Sequence, residues 1–253
     1  MTRKPLIAGN WKMYKTGTEA VTAAEKLAQL TRNITHTDIM IAPTYLSLPL
    51  VASALQGSRV AVGAQNLFYE TQGAFTGEVS APMVAAAGAS YAIIGHSERR
   101  QYFGETDESV NRKVKAAVHA GLRPIVCIGE TEQEKDEQQT FSVLDKQVTN
   151  GVKGFRSDEL KDMVIAYEPV WAIGTGKTAT PDQVNEVHRY IRSQVERRYG
   201  KELAKTIRIV YGGSVKPDNV TDLMALDDVD GALVGGASLD PETFIKIIMF
   251  NTK

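Results

Sequence analysis

The feature that most constrains this chain is an alternation. Eight short, nearly unbroken apolar runs recur along it: Pro5 to Ala8, Ile39 to Ala42, Val60 to Val62, Tyr91 to Ile94, Ile125 to Ile128, Val164 to Tyr167, Ile207 to Val210 and Ala232 to Val234. A strand with one wet face alternates apolar and polar residues. A run that is apolar throughout has both faces covered, as in a parallel sheet. Between the runs lie segments of helical period, such as Val21, Ala24, Leu27 and Leu30, or Val110, Val114, Ala117 and Val118, the latter followed by Gly121 as a helix terminator. Thr180 before Pro181 and Asp240 before Pro241 are N-cap residues followed by proline at the first helical position, and they mark the start of two further helices.

Eight strand–helix units fit either an open doubly wound sheet or a closed barrel. An open sheet has two edge strands, usually short, polar or blunted by charge, and none of the eight runs has that character. No Pro/Gly/Ser-rich linker interrupts the pattern. The expected fold is therefore α/β, one (β/α)8 (TIM) barrel domain over residues 1–253.

Charge and cysteine usage narrow the function classes. The 29 Lys plus Arg nearly cancel the 30 Asp plus Glu, so no net field attracts nucleic acid or anionic lipid, and no apolar run approaches the roughly 18 residues of a membrane span. The apolar stretch from Pro5 ends by Gly9, too short for a secretory signal. A single cysteine, Cys127, and four histidines give no CxxC or HExxH spacing, so no metal site is expected and a reducing, cytoplasmic compartment is.

In such a barrel, catalytic side chains stand at the C-terminal ends of the strands. There the chain places Asn10 and Lys12 after the first run, His96 after the fourth, Glu168 after the sixth, Gly212-Gly213-Ser214 after the seventh and Gly235-Gly236 after the eighth. Glycine pairs admit positive φ and let backbone N–H groups approach an anion, and the loops after strands seven and eight are the usual phosphate site of the fold. Taken singly, Lys12 and Glu168 read as surface salt-bridge partners and His96 as a satisfied half-buried histidine; together they supply an oxyanion-stabilising amine, a proton-abstracting carboxylate of slightly raised pKa, and an imidazole that a helix N-terminus keeps neutral. His36, His119 and His188 have no such setting. Arg99 and Arg100 read as structural ion-pair partners.

Gly174-Thr175-Gly176-Lys177-Thr178-Ala179 ends like a Walker A loop, but Trp171 stands where its first glycine belongs. It matches GxGxx[GA] too, yet a dinucleotide fingerprint opens directly after a strand, and here Pro169 to Ile173 intervene. The connection from Pro169 to Thr180 reads instead as a mobile lid.

Taken together, Asn10-Trp11-Lys12-Met13, Gly95-His96-Ser97-Glu98-Arg99-Arg100, the stretch Ala166 to Gly176 and Tyr211-Gly212-Gly213-Ser214 resemble the signatures of the triosephosphate isomerase family, in the right order along the whole chain. The resemblance implies interconversion of dihydroxyacetone phosphate and glyceraldehyde 3-phosphate through an enediolate, with no cofactor and no metal. It implies Glu168 as the single base, His96 polarising the carbonyl, Lys12 stabilising enediolate charge and Asn10 holding substrate. Backbone groups around Gly174, Ser214, Gly235 and Gly236 would bind the phosphate. It also implies a homodimer, in which the loop Gln65 to Ser80, carrying Phe68, Tyr69 and Phe75, docks into a second subunit and Thr76 reaches the neighbour's pocket near Asn10 and Lys12. A loop folded onto its own barrel is the alternative. Tyr14 and Ala8 depart from the asparagine and glycine common in the family. Two other classes remain on the page: a nicotinamide-dependent dehydrogenase, resting on the glycine match, and another phosphate-binding barrel, enzymatic or noncatalytic.

Overall fold

The structure, a computed structural model, describes residues 3–250. Strands β1 (Leu6–Asn10), β2 (Asp38–Ala42), β3 (Val60–Ala64), β4 (Tyr91–Ile94), β5 (Arg123–Ile128), β6 (Val164–Tyr167), β7 (Arg208–Tyr211) and β8 (Gly231–Val234) fall on the eight apolar runs, their ends shifted by one or two residues. Helices α1 (Gly17–Thr31), α2 (Leu48–Ala54), α3 (Ala81–Ala86), α4 (Ser97–Phe103), α5 (Asp107–His119), α6 (Glu132–Asp136), α7 (Thr140–Gly151), α8 (Pro181–Tyr199), α9 (Lys201–Thr206), α10 (Val220–Met224) and α11 (Pro241–Ile248) lie between and after them.

The strands pair in parallel and in chain order, and β8 returns to β1 with Leu6 opposite Gly231 and Gly9 opposite Val234, closing the barrel. Closure leaves no sheet edge, which accounts for eight runs of similar apolarity. Strand periodicity then divides the core in two. Leu6, Ala8, Met40, Tyr91, Ile93, Ile125, Cys127, Val164, Ala166, Val210 and Leu233 fill the interior, while Ile7, Ile39, Ile41, Ala92, Ile94, Ile165 and Ile209 face the helices.

The helix signals place their elements well. Thr180 and Asp240 cap α8 and α11 by accepting backbone N–H groups, with Pro181 and Pro241 at the first turn. Val110, Val114 and Ala117 of α5 are fully buried, and Gly121 beyond it has φ +74°. In α1 the buried face is Ala20, Ala23, Ala24, Leu27 and Thr31, and Val21 and Leu30 lie at its margins. The small alanines let the helix approach the sheet, and the Thr31 hydroxyl is accommodated by donating to the Leu27 carbonyl at 2.8 Å. Arg99 pairs with Glu105 and Arg100 with Asp107 at 2.8 Å, so both serve the β4–α5 junction.

Candidate active site

The inward-facing period of the strands carries four residues to one end of the barrel. Beyond Leu6 and Ala8 the next inward position of β1 is Asn10; beyond Val164 and Ala166 of β6 it is Glu168. By the same count Gly212 follows Val210 and Gly235 follows Leu233. Strand β4 breaks the phase. Its next inward position is Gly95, with φ +72°, where a Cβ would lie 2.8 Å from Val110 Cγ2. Only glycine makes that turn without strain. The reversal makes His96 the N-cap of α4.

A cavity of about 260 Å³ opens at this end, and Asn10, Lys12, His96, Glu168, Gly174, Ser214, Gly235 and Gly236 all line it. His96 Nε2 lies 3.0 Å from Glu168 Oε1, and the other carboxylate oxygen accepts the Ser97 N–H at 2.9 Å. His96 Nδ1 accepts the Glu98 N–H at 3.2 Å, so a proton on Nδ1 would cost that bond, and the neutral form of the ring is the one with its hydrogen on Nε2. Lys12 Nζ contacts Glu98 Oε1 at 2.6 Å. The backbone of Lys12 is left-handed, φ +49°, an uncommon state for a side-chain-bearing residue. It is held from both sides: Lys12 N–H donates to Asn10 Oδ1 at 3.0 Å, and Gln65 Nε2 donates to the Lys12 and Ala42 carbonyls, each at 2.8 Å.

Across the cavity, the short 3₁₀ turn Gly236–Ser238 begins at the rim. The first N–H groups of such a turn have no partner within it, which makes its start a ready cradle for an anion. The connection after β6 forms a short turn, Val170–Ala172, and then stands clear of the barrel with residues 174–178 exposed, Gly174 at φ +71° and Gly176 at φ +83°.

A family model described as "Triosephosphate isomerase" matches residues 5–251. The triosephosphate isomerase of Geotalea uraniireducens (strain Rf4) is 55% identical over 249 residues, 98% of this chain and 99% of the relative, and that of Endomicrobium trichonymphae is 53% identical with the same coverage. The crystal structure of triosephosphate isomerase from Bartonella henselae superposes with a TM-score of 0.90 at 39% identity, covering 99% of this chain and 100% of that one. The chain belongs to the triosephosphate isomerase family.

Three expectations about this site need correction. Gly212, Gly213, Gly235 and Gly236 are absent from the positive-φ residues, so their rim positions do not rest on left-handed backbone. Three of them are glycine for room: a Cβ on Gly212 would come 2.8 Å from Glu168 Cγ, one on Gly213 would run into the Tyr211 hydroxyl, and one on Gly235 would lie 3.3 Å from Lys12 Cε, whereas Gly236 has open space around it. Second, burial pushes the Glu168 carboxyl pKa up, but His96, the Ser97 N–H and Lys12 more than offset it, and the net direction is down rather than up. Third, the helix N-terminus is expected to hold the His96 pKa down; burial does press it down, but the Glu168 and Glu98 carboxylates outweigh this and the net direction is up. Cys127, in the barrel interior, is buried, and its thiol pKa is driven well above the usual value, as a structural thiol requires.

Sequence pattern alone does not single out Gln65 or Glu98 as partners of Lys12, nor Lys216, Ile173 and Leu233 as wall residues of the cavity. Gln65 stands one residue beyond β3, which was a signal of the same kind as Asn10 and Glu168. Among the described residues, no group of three or more His, Cys, Asp or Glu side chains is arranged to hold a metal ion, and no helix is long and apolar enough to cross a membrane.

Proposed function

We propose that Glu168, His96, Lys12 and Asn10 carry the reaction of this family, with the rim glycines and Ser214 binding phosphate. The reaction itself is the interconversion of dihydroxyacetone phosphate and D-glyceraldehyde 3-phosphate, an aldose–ketose isomerisation of glycolysis and gluconeogenesis. The observation that carries the residue assignment is the 3.0 Å approach of His96 Nε2 to Glu168 Oε1 in the cavity that Lys12 also lines.

With substrate phosphate at the start of the Gly236 turn and the Ser214 loop, the carbon skeleton lies across the cavity toward Glu168. Glu168 takes a proton from the carbon beside the carbonyl and returns it to the neighbouring carbon. The Nε2–H of His96 donates to the oxygen on which negative charge develops, and Lys12 stabilises that charge in a pocket where water does not screen it. Asn10 fixes the Lys12 backbone and faces the same oxygens. Lowering residues 173–179 over the cavity excludes water and protects an enediolate that otherwise eliminates its phosphate.

The reading extends to a homodimer. Residues 71–78 of the loop between β3 and α3 are exposed, Thr76 among them, although within the loop Phe68 stacks on Tyr69 at 4.2 Å and packs at a tilt against Phe75 at 4.8 Å. The loops after β1 and β2 expose Met13 (92%) and Leu46 (91%), and the end of α4 exposes Phe103 (66%), apolar area that a second subunit would cover. The cytoplasm is the compartment we propose, on the glycolytic reaction and the single cysteine.

The test is a coupled assay offering D-glyceraldehyde 3-phosphate with no added metal or nucleotide. Turnover to dihydroxyacetone phosphate is expected, and it should vanish in Glu168→Gln while the fold survives. Wild-type-like turnover in that variant would reject the residue assignment.

A further inference from the structure

Helix α6 is five residues long, and most of its side chains have assignable tasks. Thr131 caps it, with Glu134 accepting the Thr131 N–H at 2.8 Å, and Gln133 Nε2 donates to Glu137 at 2.9 Å on the solvent side. Of the other three, Asp136 adds a second negative charge near Lys177, while Glu132 and Lys135 are three residues apart and therefore on one face. Both reach the lid. Glu132 forms an ion pair with Lys177 on its far arm, and the Lys135 ammonium sits 3.3 Å from the centroid of the Trp171 ring at its root. Just before the cap, Glu130 accepts the Trp171 indole N–H at 2.7 Å, and its carbonyl accepts the Val170 N–H at 3.0 Å.

The two cavities that meet at the lid show on which side this grip lies. The phosphate cavity is lined by Ile173 and Gly174 of the lid and by no residue of α6. A second cavity, of about 600 Å³, is lined by Trp171, Ile173 and Thr175 of the lid together with Thr131, Glu132 and Glu134. Ile173 and Glu168 line both cavities, but the rim glycines and Ser214 line only the first and α6 only the second, so closure over phosphate carries Lys177 away from Glu132.

We propose that α6 is a two-point clasp for the raised lid, with Glu132 and Lys135 as positioning residues of the isomerisation: Lys135 fixes the root at Trp171, and Glu132 restrains the tip through Lys177. This rests on the reading of the Gly235–Gly236 cavity as the phosphate site. A ligand that needs the lid down binds against the clasp, and its apparent affinity falls by the fraction of molecules held up. Exposed pairs of this kind are weak, so the restraint is a bias rather than a lock.

The experiment measures competitive inhibition by inorganic phosphate and the kinetic constants in wild type, Glu132→Gln, Lys177→Met and the double variant. For Glu132→Gln we expect Ki for phosphate and KM to fall together by about two- to fivefold, with kcat equal or lower as release slows. In the Lys177→Met background the same Glu132→Gln change should have no effect, which separates loss of the pair from removal of a negative charge near the phosphate. An equal effect in both backgrounds, or an unchanged Ki in Glu132→Gln, overturns the clasp while leaving the phosphate site standing. Failure of phosphate to compete with substrate in wild type overturns the site reading itself, and the clasp with it. Lys135→Met should shift the emission of Trp171 and change KM with unaltered thermal melting. An emission spectrum identical to wild type would remove Lys135 from the proposal.

Discussion

His96 Nε2 and Glu168 Oε1 lie 3.0 Å apart, each anchored on its far side by a backbone N–H, that of Glu98 on the imidazole and that of Ser97 on the carboxylate. The pair is thus fixed by the start of one helix, α4. A donor on the ring faces an acceptor on the carboxylate, and the arrangement is disturbed when either changes type.

Glu168→Gln replaces one acceptor oxygen by an NH2 group facing the His96 N–H or the Ser97 N–H. Turnover is expected to fall by at least about 10² to 10⁴, the usual contribution of a general base. Circular dichroism should remain that of wild type. A kcat within tenfold of wild type, measured in the coupled assay, would contradict the assignment.

Gly212→Ala puts a methyl group 2.8 Å from Glu168 Cγ, too close for either atom to stay in place. The carboxylate has to shift, and a general base displaced by about 1 Å loses roughly 10²-fold in rate. The loss is expected in kcat with a smaller change in KM. A crystal structure of the variant would show Glu168 moved relative to His96, and an unmoved carboxylate with full activity would count against the packing argument.

Gln65→Leu removes both amide hydrogen bonds that hold the Lys12 and Ala42 carbonyls. The bond to Lys12 stabilises its left-handed backbone by about 0.5–1.5 kcal/mol, and the bond to Ala42 fixes the Gln65 side chain that makes it. The expected result is a raised KM and a lowered kcat, the same pattern as Lys12→Met in milder form. Steady-state kinetics on both variants and on their combination checks this, since the double variant should be no worse than Lys12→Met alone.

His188 is fully buried and its pKa is pushed from 6.5 down to about 4, first by burial and with Arg192 adding to it. The unfolded chain therefore binds a proton that the folded one refuses. Stability from this group is complete above pH 6.5 and is lost as pH falls toward 4, by about 3 kcal/mol in all. Urea unfolding at pH 7, 5.5 and 4.5 should show that decline, and His188→Gln should flatten it. The Asp228 carbonyl, 3.1 Å from His188 Nδ1, remains as an acceptor for the glutamine amide.

Much of this was legible along the chain because it depends on local period. The eight strands follow from runs of apolar residues, and Asn10 and Glu168 from standing just past two of them. What was not legible depends on groups brought together from afar. The downward net shift of Glu168 comes from a ring and an N–H at the start of α4, some seventy positions away. The reason for glycine at 212 and 235 lies in side chains 44 and 223 residues distant, Glu168 and Lys12. Gln65, although it stands just past β3, was read only as the beginning of a docking loop, since its place at the strand end does not say that it holds Lys12, 53 residues away.

Because the working groups on β1 and β6, and the two glycines beside them, each sit one inward step past the last packed rung of the barrel, they can be exchanged without touching the rung itself. Scaffold and chemistry are therefore separately mutable. The same cylinder tolerates a new set of tips, and selection acting on catalysis leaves the architecture undisturbed.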